Sequence, residues 1–185
     1  MDLDFVNILN FDNDIIEQVR NWRNKKNVSR YMYTNHEISK EEHKNWIEKI
    51  RSGKDTKAWI IVYKERPIGL AQLSNIDYKN KITEWGFYIA DESVRGKGIG
   101  SAALYKLIEY VFNEMEFYKL KTKVLENNTT ALNLYEKFGF ETVEKLDKIQ
   151  REEKFIDVFL MQTDKDKWNE IKNNLKKQIK IDIFS

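Results

Sequence analysis

Val94-Arg95-Gly96-Lys97-Gly98-Ile99-Gly100-Ser101 is the densest chemical signal in the chain. Upstream, Ile82 to Ile89 is rich in β-branched and aromatic residues and reads as a strand. Downstream, Gly100 to Glu114 carries Leu104, Leu107, Ile108, Val111 and Phe112 on one helical side. Glycines between a strand and a helix let successive amides converge on one spot, and the helix N-terminus adds positive potential there. Arg95 and Lys97 strengthen that field, so the turn suits a phosphate or pyrophosphate better than a plain change of chain direction.

Spacing separates the phosphate loops that compete for this segment. Gly98-Ile-Gly-Ser-Ala-Ala103 superficially matches a dinucleotide fingerprint, but that loop normally follows the first strand of a parallel βαβ unit, and this one comes past mid-chain. A nucleoside-triphosphate loop needs Gly-Lys-Ser or Gly-Lys-Thr, whereas Lys97 is followed by Gly98.

Outward from the loop, the pattern is mixed. Leu3 to Leu9 reads as a first strand, and Asp12 to Lys25 places Ile15, Ile16, Val19 and Trp22 at helical spacing. Ser39-Lys-Glu-Glu42 fits a capping box for a helix over about Lys40 to Arg51, with Trp46, Ile47 and Ile50 on its buried side. Ala58 to Tyr63 and Ile68 to Ile76 read as strands joined by a hairpin turn at Lys64-Glu-Arg-Pro67. A strand over Lys119 to Leu125 and a short helix around Thr130 to Phe138 come next. Strands near Glu141 to Ile149 and Phe155 to Met161 precede a final helix with Trp168, Ile171 and Leu175. Hairpins among helices point to an α+β sheet and away from a strict βαβ repeat.

Composition narrows the function. The 185 residues suit one domain, residues 1–185, with 41% hydrophobic and 13% aromatic residues to fill one core. Lysine and arginine total 32 against 30 acidic residues, so bulk charge favours neither nucleic acid nor an anionic membrane as partner. The absence of cysteine excludes disulfides, thiolate metal sites and a cysteine nucleophile. No apolar run reaches the roughly 20 residues of a membrane helix, and Asp2 and Asp4 sit where a signal peptide would be basic, so a cytoplasmic location is expected.

Arg95-Gly-Lys-Gly-Ile-Gly100 resembles the Arg/Gln-x-x-Gly-x-Gly/Ala acetyl-CoA loop of the GCN5-related N-acetyltransferase superfamily. Asn128-Thr-Thr-Ala-Leu-Asn-Leu-Tyr135-Glu-Lys-Phe-Gly-Phe140 is similar to that family's Asn-x-x-Ala-x-x-Leu-Tyr-x-x-x-Gly-Phe element, one helix and one strand downstream. The resemblance implies a mixed central sheet of about seven strands, flanked by helices and splayed between the fourth and fifth strands, with acetyl-CoA in the gap. It implies that the pyrophosphate sits on the amides of Gly96, Lys97, Gly98, Ile99, Gly100 and Ser101 beside Arg95. The pantetheine arm would pair with backbone near Tyr88 and Ile89 and touch Asn128. No catalytic metal is implied, and His36 and His43 are too few for a three-histidine site.

The chemistry demands an unprotonated amine and a proton donor for the departing thiolate. Tyr135 fits the donor role, because a phenol near pKa ~10 keeps its proton at neutral pH yet lies close to a thiol at ~8.5. It also falls on an apolar stripe with Ala131, Leu134 and Phe138, where a core tyrosine would fall. Glu126 at a strand end is the first candidate base, with His43 next and Glu84, beside Trp85, also in reach.

Trp22-Arg-Asn24, Arg30-Tyr-Met-Tyr-Thr34 and Glu41-Glu-His-Lys-Asn-Trp46 resemble the branch of the superfamily that acetylates the 4-amino group of UDP-linked 4-amino-4,6-dideoxy sugars in bacterial pseudaminic acid biosynthesis. Acetyltransferases of ribosomal-protein N-termini and of aminoglycosides share parts of this pattern, and a noncatalytic acyl-CoA-binding module is a third alternative. Arg23 and Arg30 suit a diphosphate, Tyr31, Tyr33 and Trp46 offer flat faces to uracil or sugar, and Met32 fills space beside a 6-deoxy methyl group. Trp85 and His43 complete the expected acceptor set. The tail Gln178 to Ser185 alternates Ile179, Ile181 and Ile183, which would let it add a strand to a partner, as in a homodimer.

Overall fold

The computed structural model describes residues 2–34, 36–151 and 153–179. Seven strands form one sheet in the order β1-β2-β3-β4-β5-β7-β6. They are β1 (Leu3–Asn7), β2 (Lys57–Tyr63), β3 (Arg66–Asp77), β4 (Ile82–Ile89), β5 (Lys119–Leu125), β6 (Glu141–Arg151) and β7 (Lys154–Asp164). All neighbours are antiparallel except β4 and β5, which run parallel. The helices are α1 (Asn13–Asn24), α2 (Lys26–Ser29), α3 (Lys40–Ser52), α4 (Ile99–Glu109), α5 (Thr129–Lys137) and α6 (Lys165–Ile179). The tail beyond Ile179 lies outside the described residues.

Helices cover both faces of the sheet, which is why the central strands read as continuous apolar runs. Ala58, Ile60 and Leu70 pack with Val19, Trp22, Ile47 and Ile50 of α1 and α3. On the other face, Leu73, Trp85, Leu120 and Met161 meet Leu104, Leu107 and Ile108 of α4 and Trp168 and Leu175 of α6. Trp168 is fully buried, and its indole N–H donates to the Glu109 carboxylate.

Local chemistry explains where elements begin and end. The capping box at α3 is complete: Glu42 N–H donates to Ser39 Oγ at 3.1 Å and Ser39 N–H to Glu42 Oε2 at 2.8 Å. The first strand ends at Asn7, two residues short of the expected Leu9, because the Asn7 side chain accepts the Leu9 N–H and starts a 3₁₀ turn. The β2–β3 turn is the pair Lys64-Glu65, both at positive φ, rather than four residues. Pro67 belongs to β3 opposite Val62, where the ladder shifts register and an N–H is dispensable. After Glu109 the expected helix widens into a π turn over Tyr110–Glu114, with Met115 N–H donating to Tyr110 carbonyl at 3.0 Å.

Candidate functional site

The sheet opens where β4 leaves β5. Their pairing covers only Ile82–Lys119, Thr83–Leu120 and Glu84–Lys121. Just beyond, Thr122 Oγ1 donates to the Trp85 carbonyl at 3.1 Å, and from there to Ile89 the edge of β4 facing β5 has no ladder partner. Across β4, Gly69 is the residue that permits the sheet to close: an added Cβ would lie 2.1 Å from the Tyr88 carbonyl oxygen.

The glycine turn sits at the mouth of this gap. Gly96 and Gly98 adopt φ of +75° and +76°, a region that other L residues rarely enter, and a Cβ on either would meet nothing within 4 Å. The first bond inside α4 runs from Ala102 N–H to Gly98 carbonyl at 3.0 Å, so the amides of Ile99, Gly100 and Ser101 precede the helical ladder. An open turn, early helix amides and an unpaired strand edge fit the pyrophosphate and arm of acetyl-CoA. Arg95 is drawn into an exposed ion pair with Glu92 at 2.9 Å, and Lys97 is exposed. Asn128 caps α5, its Oδ1 accepting the Ala131 N–H at 3.3 Å.

A cavity of about 360 Å³ extends from the gap toward α1 and α3. Its walls bring together Arg23, Met32, Tyr33, His43, Trp46, Trp85, Tyr88, Asn128 and Tyr135, residues drawn from α1, the α2–α3 loop, α3, β4 and α5. Sequence reasoning missed Gln72, Phe87, Thr122 and Lys123, which also line it. Phe87 alone carried a readable signal, being two residues from Trp85 on the same side of β4. Of the proposed catalytic and acceptor residues, three stand outside the lining. Arg30 is exposed, with its guanidinium 4.5 Å from the centre of the Tyr31 ring. Glu84 pairs with Lys123 at 3.2 Å. Glu126 is exposed beyond β5, its N–H bonded to the Asp157 carbonyl.

Burial sets the protonation of the groups that remain. His43 is 8% exposed and its Nε2 lies 2.8 Å from the Ile16 carbonyl. A carbonyl only accepts, so Nε2 carries the proton and Nδ1 of the neutral ring keeps its lone pair. Desolvation lowers the imidazole pKa below its ordinary value, which favours that neutral ring. Its plane lies against Trp46, with centroids 5.3 Å apart. Tyr135 is also 8% exposed, packed edge-on to Trp85 at 5.0 Å and tilted against Phe140 at 5.8 Å. Its hydroxyl bonds to no described residue, and burial raises its pKa, so the phenol keeps its proton. The stripe position and the cavity position are therefore both occupied by this one side chain.

Arg23 Nη2 donates to the carbonyl and Oγ1 of Thr34, both at 2.8 Å. Glu42 is the one carboxylate among the described residues that line the cavity. The Ser39 N–H, together with His36 at 2.7 Å, holds its carboxyl at about 2. Among the described residues no group of three or more histidine, aspartate or glutamate side chains could hold a metal ion. No described helix is long and apolar enough to cross a membrane.

A mixed seven-stranded sheet opened at its parallel pair, with a glycine turn and a buried tyrosine at the opening, defines an acetyl-CoA-dependent N-acetyltransferase. The chain belongs to the acetyltransferase (GNAT) domain family, whose profile matches residues 7–141. It is 28% identical over 134 residues to acetyltransferase PseH of Campylobacter jejuni, covering 72% of this chain and 82% of that protein. The crystal structure of C. jejuni PseH matches with TM-score 0.64 and 21% identity, over 89% of this chain and 99% of that one. Spermidine N-acetyltransferase of Vibrio cholerae, solved with CoA and spermine, matches with TM-score 0.79 and 21% identity, over 91% and 98%.

Proposed function

We propose that this enzyme transfers the acetyl group of acetyl-CoA to the 4-amino group of a UDP-linked 4-amino-4,6-dideoxy sugar, as in pseudaminic acid biosynthesis. One observation carries the choice of acceptor. The acceptor end of the cavity presents Arg23 and the rings of Tyr31, Tyr33 and Trp46, and the one carboxylate among its described lining residues, Glu42, is already engaged by His36 and Ser39. A polyamine carries several positive charges and calls for uncommitted carboxylates, whereas a nucleotide diphosphate calls for cations and flat apolar faces. The similarity to PseH points the same way.

Acetyl-CoA supplies a thioester carbonyl open to an amine. The amides from Gly96 to Ser101 hold its pyrophosphate, and the β4 edge at Tyr88 and Ile89 aligns its arm. His43 Nδ1 takes the proton of the attacking amine, directly or through one water, and desolvation keeps that nitrogen unprotonated near neutral pH. Glu126 and Glu84, both outside the cavity, give way to it as base. Tyr135 donates a hydrogen bond to the sulfur as charge grows there. Burial weakens it as an acid, so stabilising that charge matters more than early proton release.

Initial-rate kinetics test the acceptor. With saturating acetyl-CoA, the UDP-amino sugar is expected to give a higher kcat/KM than spermidine, an aminoglycoside or a ribosomal N-terminal peptide. A higher value for any of the three would reject the nucleotide sugar.

A further inference from the structure

The segment from Tyr31 to Thr34 forms one wall of the acceptor cavity and is held by two guanidinium groups from distant parts of the chain. Arg23 of α1 reaches Thr34. Arg151, at the closing end of the β6–β7 hairpin and not itself among the lining residues, donates through Nη2 to the carbonyls of Met32 and Tyr33, the latter at 2.7 Å. Three consecutive carbonyls thus face two cations. Among the described residues neither arginine forms an ion pair with a carboxylate, and Arg23 Nη1 and Arg151 Nε are buried donors without an acceptor. Desolvation depresses the pKa of both groups, and at Arg23 the positive charge of Arg151 adds to the effect. Carbonyl dipoles only partly offset two neighbouring desolvated charges, and an anion with several acceptor oxygens would complete the arrangement.

We propose that Arg151 joins Arg23 in a two-guanidinium site, across the Met32–Thr34 carbonyls, for the phosphate groups of the acceptor. The proposal rests on the nucleotide-sugar reading and deepens it, since it assigns to Arg151 the diphosphate role that the sequence suggested for Arg30. Planar guanidinium forks match phosphate oxygens in pairs, and the hairpin carries the second fork to the loop. No covalent step is involved.

Calorimetry with UDP, on enzyme saturated with CoA so that the cofactor's own phosphate site is filled, separates this site from the glycine turn. Arg151→Gln removes the charge while keeping a donor, and is expected to weaken UDP binding roughly 10- to 100-fold. Arg151→Lys should lose less, and CoA affinity should stay unchanged in both variants, which also verifies folding. In turnover, Arg151→Gln should raise KM for the UDP-amino sugar far more than for the same amino sugar without UDP. Equal rises for the two acceptors would show a loop-holding role alone and overturn the proposal, as would unchanged UDP affinity. If the UDP-amino sugar is not a substrate but UDP binding still depends on Arg151, the acceptor reading fails while the anion site stands.

Discussion

Replacing Tyr135 with phenylalanine should make the enzyme slower and no less stable. The ring is held by an edge contact to Trp85 and a tilted one to Phe140, which phenylalanine reproduces, and the hydroxyl has no hydrogen-bond partner among the described residues. Burying a hydroxyl without a partner costs about 1–3 kcal/mol in proteins, and because this one borders the cavity its removal should stabilise by up to about 1 kcal/mol. For a chain of this length that corresponds to a melting temperature higher by as much as ~2–4 °C. Loss of the donor to the leaving sulfur should reduce turnover roughly 100- to 10,000-fold, or about 2.7–5.4 kcal/mol in the barrier. Thermal unfolding without ligands and single-turnover acetyl transfer measure the two halves separately. A variant that melts lower and loses activity in proportion would mark Tyr135 as a packing residue. Full single-turnover rates would remove it from the mechanism altogether.

Gly69→Ala should force the Tyr88 carbonyl away from a Cβ placed 2.1 Å from it, at a cost of about 1–3 kcal/mol. Because Tyr88 and Ile89 form the edge assigned to the cofactor arm, acetyl-CoA affinity should fall too, and an unchanged denaturation midpoint with unchanged affinity would contradict both statements. His43 gives a pH signature. Its folded pKa lies below 6.5, so between those two values the unfolded chain binds more protons and stability falls as pH drops. Thermal unfolding from pH 7.5 to 5 should show this loss in the wild type and a smaller one in His43→Gln. Parallel curves would mean that His43 titrates alike in the folded and unfolded chain.

What could be read in the sequence was decided within a few residues along the chain. The α3 capping box links Ser39 to Glu42, the Asn128 cap links to Ala131, and the glycine turn from Gly96 to Gly100 is set by its own φ angles, so short-range spacing was sufficient. The strand runs were legible because helices bury both faces of the sheet, leaving Ile60 and Ile61 fully covered on opposite sides. Element ends were less legible where one hydrogen bond tips the outcome, as at Asn7, or where paired positive φ angles shorten a turn to Lys64-Glu65. The acceptor end depended on tertiary structure. The sequence ranked Glu126 ahead of His43 as base, with Glu84 also in reach, whereas in the structure His43 alone of the three lines the cavity, with its Nε2 against the Ile16 carbonyl. Arg151 lies 118 residues from Tyr33, and no local spacing could announce that a hairpin would carry it there while Arg30 turned outward onto Tyr31. Propensity and capping act over one turn of chain, whereas desolvation and cavity shape are properties of segments that meet only after the sheet has closed.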